Sequence, residues 1–157
     1  MLTMKGKYGL KALINLAGRP SGELAQSVEI AEAEGVSKKF LDTILGELRN
    51  AGFVATRKGR NGGYMLARPP EQLMAGHVLR VLEGPLSPIP CASRTAYVRC
   101  NDCPDETRCA VRLTMLEVRE AIVSVLDSKS IADLRAMGEL PLHAEDEDDT
   151  ILRAARG

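Results

Sequence analysis

Apolar positions in the first third of the chain recur at helical spacing. Over residues 9–17, Leu10, Leu13, Ile14 and Ala17 fall on one face. Gly18-Arg19-Pro20-Ser21-Gly22 then interrupts the pattern. Ser27 is placed to cap a short helix over 28–34, with Ile30 and Ala33 facing inward. Gly35 permits a tight turn. Ser37 caps a longer helix over 38–50, whose stripe is Phe40, Leu41, Ile44, Leu45 and Leu48. Gly52 is positioned to stop it. Two helices joined by a short glycine-containing turn describe a helix-turn-helix.

The period then falls from 3.6 to 2. Phe53-Val54-Ala55-Thr56-Arg57 reads as a strand and Tyr64-Met65-Leu66-Ala67 as its partner. The linking loop, Lys58-Gly59-Arg60-Asn61-Gly62-Gly63, is glycine-rich and basic. Alone it describes any solvated hairpin. Directly after a helix-turn-helix it describes a wing, with Arg57, Lys58 and Arg60 available to phosphate or the minor groove.

Pro69-Pro70 closes this module, and Val78, Leu79 and Leu82 mark a short helix over 76–83. Gly84-Pro85 and Pro88-Ile89-Pro90 end regular structure. Farther on, Val111, Met115, Val118, Ile122 and Val125 are spaced 4, 3, 4 and 3, an a/d seam over about two heptads. Leu113, Leu116, Ala121 and Val123 widen that face. One winged helix is too small to cover it, which predicts an isologous pairing with a second copy of the chain. The competing reading folds the helix back on its own domain. A short helix follows over 128–136, and Glu145-Asp146-Glu147-Asp148-Asp149 is an acidic, solvated tail.

The expected fold is mainly α with a small β-hairpin wing. A winged helix-turn-helix spans residues 1–70, a connecting helix and turn 71–90, and a cysteine-rich loop 91–109. A dimerisation helix with a short C-terminal helix spans 110–136, and a mobile tail 137–157. No internal repeat is visible.

Composition narrows the classes. The chain has 157 residues, 45% hydrophobic and 27% charged, the profile of a soluble globular protein. No apolar run approaches the roughly 18 residues of a membrane span. Lys5, Lys7 and Lys11 punctuate the start, which therefore does not read as a signal peptide, and a cytoplasmic protein is expected. The net charge of zero hides an asymmetry: residues 1–70 carry eleven Lys/Arg against six Asp/Glu, and residues 71–157 carry ten against fifteen. Only the first half is suited to a polyanion such as double-stranded DNA.

All four cysteines, Cys91, Cys100, Cys103 and Cys109, lie within nineteen residues, as C-x8-C-x2-C-x5-C. Two disulfides would suit a secreted protein. Without a signal peptide the cluster reads more readily as metal binding or redox chemistry. Four thiolates satisfy an iron–sulfur cluster or a tetrahedral zinc, and the spacing does not choose between them. Arg94, Arg99 and Arg108 are placed to lower thiol pKa values and offset thiolate charge. An enzyme is the alternative class, but there is no phosphate loop and no Ser/His/Asp order. His77 and His143 are isolated. Electron transfer would leave the wing unexplained, and a pure protein-interaction module is a third option.

With wing and cysteine loop together, the chain resembles the Rrf2 family of bacterial transcription regulators. The match runs from Met4 to about residue 127. It is most specific at Phe40-Leu41 with Ile44-Leu45, at Leu48-Arg49-Asn50-Ala51-Gly52-Phe53-Val54, and at Val81-Leu82-Glu83-Gly84. The glycine-rich wing, Gly59-Arg60-Asn61-Gly62-Gly63-Tyr64-Met65-Leu66-Ala67-Arg68, is its most recognisable signature. The resemblance implies a homodimeric winged-helix repressor or activator with a long helix crossing between subunits. It also implies an iron–sulfur cluster on three cysteines, which match Cys91, Cys103 and Cys109 here, whose state alters DNA affinity.

Three departures stand out. The segment from Cys91 to Cys103 is longer than in the best-known cluster-binding members. Where some relatives take a fourth ligand from a His after the last cysteine, this chain has Ala110-Val111-Arg112. Where others use an acidic residue before the aromatic of the first helix, it has Lys7. Cys100 is the obvious replacement, and an all-cysteine set suits [4Fe–4S], [2Fe–2S] or zinc. Ser37, Lys38, Lys39, Asp42 and Thr43 are the expected major-groove readers, with Arg57, Lys58 and Arg60 as wing contacts. A member without a cluster would use structural zinc, a thiol–disulfide switch, or a metabolite or partner signal.

Overall fold

A bundle of short helices closes around one apolar core, with a hairpin on its flank. The computed structural model describes residues 2–140. The acidic run 145–149 and His143 lie outside those residues. Six helices are described: α1 (Met4–Ala17), α2 (Ser27–Glu34), α3 (Lys38–Asn50), α4 (Ala75–Glu83), α5 (Ala110–Asp127) and α6 (Ile131–Glu139). The hairpin is β1 (Val54–Arg57) paired antiparallel with β2 (Gly63–Leu66), with Val54 opposite Leu66 and Arg57 opposite Gly63. Single 3-10 turns occupy Pro70–Gln72 and Pro90–Ala92.

The core is built from the stripes of α1, α3 and α4. Leu13, Ile30, Leu41, Ile44, Leu45, Leu48, Leu73, Val78 and Ile131 are wholly buried. Tyr8 meets Phe40 edge-to-face, ring centroids 6.3 Å apart. The helix-turn-helix connection is short because α2 ends on Gly35 at φ 65°, a left-handed conformation that costs a side-chain-bearing residue about 1–2 kcal/mol. The chain then re-enters helix at Ser37, whose Oγ accepts from the Phe40 N–H (3.2 Å).

Several local expectations are corrected. Helix α1 begins at Met4 rather than at Gly9, capped by Thr3. Gln26, not Ser27, caps α2, because Glu29 folds back to accept the Gln26 N–H (2.7 Å) in a capping box. Ala31, not Ala33, joins Ile30 on the inward face of α2, and Ala33 is exposed. A third strand position, Ala25, exchanges two backbone hydrogen bonds with Tyr64 (2.9 and 2.7 Å) and ties the wing to the chain before α2. Ser128 ends α5, and α6 begins later, capped by Ser130 with Asp133.

Long-range polar ties hold the helices in register. The Glu83 carboxylate, at the end of α4, accepts from the Thr3 N–H (2.9 Å), the Thr3 hydroxyl (2.6 Å) and the Gly6 N–H (2.8 Å). It therefore caps α1 from a distance of eighty residues, and its negative charge faces the positive helix end. Burial works against the charge, but these bonds outweigh it and hold the Glu83 carboxyl below its ordinary range. Arg80 forms a bidentate pair with Asp127 (2.7 and 2.9 Å), joining α4 to the end of α5. This pair lowers the Asp127 carboxyl pKa against the opposing effect of burial.

Glu83→Ala is expected to cost about 1 kcal/mol of stability, the usual loss for a helix cap, read as a lower denaturation midpoint at pH 7. The sign of the pH dependence follows from the lowered pKa. The Glu83 contribution is complete above the ordinary glutamate range and disappears as pH falls through the folded-state value. Wild type and variant should therefore converge in acid. A gap that persists there would show that the carboxylate is not the cap.

Candidate DNA-binding face and cysteine site

The start of α3 is open to solvent, as a reading helix requires. Ser37, Lys38, Lys39 and Thr43 are exposed, and Asp42 is half-buried. Several of these groups are already engaged within the protein. Ser37 caps α3, and Thr43 Oγ1 donates to the Lys39 carbonyl (3.3 Å). Lys38 Nζ donates to Asp42 Oδ2 (2.7 Å). Burial raises the Asp42 carboxyl pKa, but hydrogen bonds from Lys38 and Ser27 prevail and hold it below its usual value. Lys39 enters no ion pair among the described residues. On the wing, Arg57 closes β1 and Lys58 and Arg60 stand in the turn, all three exposed.

The cysteine loop bridges α4 and α5. Its four cysteines line one open cavity of about 560 Å³, shared with Arg99, Arg112 and several acidic side chains. All four are free thiols; Cys91 is buried, Cys100 exposed, and Cys103 and Cys109 lie between. Cys100 and Cys91 meet at 3.8 Å, Sγ to Sγ. Among the described residues no three His, Cys, Asp or Glu side chains stand close enough together to enclose a single metal ion.

The loop is tied to the first turn of α5. Cys109 caps that helix, its Sγ accepting from the Arg112 N–H (3.5 Å). The Arg112 side chain donates to the carbonyls of Cys91 (3.0 Å) and Glu106 (3.5 Å), spanning both sides of the loop. Arg99 donates to the Cys103 carbonyl (3.2 Å), and Arg94 pairs with Glu120 on α5 (2.8 Å). Tyr97 donates to the Glu106 carboxylate, a bond that raises the Tyr97 pKa.

The expected lowering of thiol pKa by arginines does not prevail at two positions. The Cys100 thiol is raised by its hydrogen bond to Cys91 and by the neighbouring sulfur's charge. Cys103 is raised by burial and by Cys109, against a smaller opposing effect of Arg99. Arg94 and Arg112 are spent on Glu120 and on backbone carbonyls instead. Sequence reading overlooked Arg112, although a basic residue three places after a helix-capping cysteine is well placed to reach back over the loop.

Helix α5 has no buried residue. Its seam divides into two rows. Met115 and Ile122 are half-buried toward the chain's own body, while Val111, Val118 and Val125, seven residues apart, are 63%, 37% and 56% exposed. Beside it an apolar groove of about 260 Å³ runs between Leu79, Pro85, Leu86, Ile122 and Leu126. No helix among the described residues is long and apolar enough to cross a membrane.

Comparison with known proteins agrees with this architecture. Residues 2–137 match the Rrf2 family model, described as an iron-dependent transcriptional regulator. An rrf2-like HTH-type transcriptional regulator of Rhodobacter capsulatus is 41% identical over 141 residues, covering 88% of this chain and 94% of that protein. The structure of CymR, the global cysteine regulator of B. subtilis, superposes with a TM-score of 0.71 at 34% identity, covering 87% of this chain and 97% of that one. T. potens IscR superposes with a TM-score of 0.70 at 29% identity, covering 93% of each. These relatives are regulators of transcription, which removes the enzyme alternative. The chain is a winged-helix, DNA-binding transcriptional regulator and belongs to the Rrf2 family.

Proposed function

We propose that this chain acts in the cytoplasm as a homodimeric regulator whose affinity for a roughly palindromic operator is set by an iron–sulfur cluster on Cys91, Cys100, Cys103 and Cys109. The observation that carries the reading is the shared cavity of these four side chains at the start of α5. Two thiolates on one tetrahedral metal, with bonds of about 2.3 Å, stand about 3.8 Å apart. Cys91 and Cys100 have that separation. The other two cysteines line the same cavity without completing a single-ion site. One such pair with two further thiols in the same cavity suits a [2Fe–2S] cluster, in which each iron takes two cysteines, and the same pair also suits zinc.

When bound, the cluster supplies one-electron redox chemistry and sensitivity to iron supply and oxidants. The protein's part is mechanical. Cys109 caps α5, and Arg112 holds Cys91 and Glu106 against its first turn. A change in how the cysteines are held therefore shifts α5. In the dimer, the outward row Val111, Val118 and Val125 of each α5 meets its counterpart, so that shift alters the spacing of the two reading heads. Ser37, Lys38, Lys39, Asp42 and Thr43 enter successive major grooves, and Arg57, Lys58 and Arg60 add wing contacts. The ion pairing of Asp42 makes its role chiefly one of positioning.

Selection from random-sequence duplexes is expected to return a two-fold-symmetric site. On that site, replacing Lys38 and Lys39 with Ala should weaken binding and reduce the salt slope by about 3.6, near 0.9 for each residue in each of the two subunits. A selected site without symmetry, or an unchanged slope, would count against this reading. A second reading keeps the dimer and the DNA but no cluster: zinc or a thiol–disulfide pair on the same cysteines, or a metabolite or partner signal. The likeness to CymR, called a cysteine regulator, supports it.

A further inference from the structure

Fewer than half of the Lys and Arg side chains among the described residues have carboxylate partners. Lys5 pairs with Glu47, Lys11 with Glu34, Arg19 with Glu23, Lys38 with Asp42 and Arg80 with Asp127. At the root of the wing three cations without such partners lie together. An open cavity of about 360 Å³ lies between the last turn of α3, the hairpin and the residues that begin α2. Arg49, Arg57 and Lys58 all line it, together with the polar side chains of Gln26, Thr56 and Tyr64, and no carboxylate does. Among the described residues none of these three cations enters an ion pair. Arg49 and Arg57 come from different elements, so the convergence is a product of the fold and not of a local run of basic residues.

Three like charges around one hollow repel each other and are relieved by an anion placed among them. We propose that this hollow seats a backbone phosphate of duplex DNA, and that Arg49 is a phosphate-contacting residue of the regulator. The inference rests on the DNA-binding reading above and adds to it. The hollow is bounded by α3 and by the wing hairpin, the two elements that the DNA-binding reading sets against the duplex. A guanidinium presents paired N–H donors to two phosphate oxygens, while Lys58 supplies a point charge beside it. A contact of this kind fixes register on the duplex without reading sequence.

The test measures binding to a random-sequence duplex of about 30 base pairs across a salt series, where the phosphate contribution dominates. Arg49→Ala is expected to reduce the slope of log K against log salt by about 1.8, the value for one phosphate in each subunit of the dimer. Arg49→Lys should recover most of that slope, since the charge remains. Arg49 is exposed, so the melting temperature of both variants should match wild type and so exclude misfolding. An Arg49→Ala slope equal to wild type overturns the phosphate seat while leaving the DNA-binding reading intact. Failure of the wild-type protein to bind any duplex overturns both.

Discussion

Cys100→Ser is expected to strip the anaerobically prepared protein of most of its iron and acid-labile sulfide. Cys100 stands 3.8 Å from Cys91, within the cavity that all four cysteines line. Even a change in the shell behind a metal ligand costs about 10–100-fold in affinity, and removing a ligand outright should cost at least as much. Cys100 is exposed and outside the apolar core, so far-UV circular dichroism and the melting temperature of the metal-free protein should be unchanged. Replacing Cys91, Cys103 or Cys109 should remove the metal as well. A Cys100→Ser protein with a full metal load would restrict the ligand set to those three, as the family resemblance alone implies.

In the homodimer proposed above, Val118→Glu should separate the subunits and lower operator affinity by about 100-fold or more, the usual gain from linking two binding heads. Val118 is the middle member of the outward row on α5, whose side chains are only partly covered by their own chain. A carboxylate there would have to be buried unpaired at a two-fold axis beside its own copy, which is strongly unfavourable. Because Val118 is outside the core, the folded protomer should survive. Val118→Ala provides the control and should still sediment as a dimer. A Val118→Glu protein that remains dimeric would place the subunit contact elsewhere, and Val125→Glu would then be expected to have no effect either.

The parts of the fold that were legible are those with local causes. The stripe of α3 with its Ser37 cap, the glycine turn before it, and the switch to period-two pattern at Val54 all act within a few residues. The start of α1 at Met4 was not legible because the regular apolar spacing begins only at Leu10. Gly6 and Gly9 lie inside the helix where α4 crosses, and a methyl at Gly9 would overlap the Leu82 side chain. The pairing of Ala25 with Tyr64 involves one residue and leaves no periodicity to detect. Remote ties such as Glu83 to Thr3 and Arg80 to Asp127 follow from packed helices and not from spacing.

The candidate site divides in the same way. Four cysteines in nineteen residues identify the loop, and the seam of α5 is visible as a heptad repeat. Which cysteines approach each other, which row of the seam faces outward, and which arginines hold the loop all depend on three-dimensional placement. Arg112 and Arg49 are the clearest cases, since each is an unremarkable surface cation until the fold sets it beside a carbonyl pair or two other cations.

Whether the cysteine loop holds the iron–sulfur cluster proposed above is decided by anaerobic purification, an absorption spectrum, and analysis of iron, acid-labile sulfide and zinc. A coloured protein is expected, in which iron and sulfide accompany each other and are lost from the cysteine variants. A colourless protein carrying one zinc per chain, or no metal at all, would contradict that proposal.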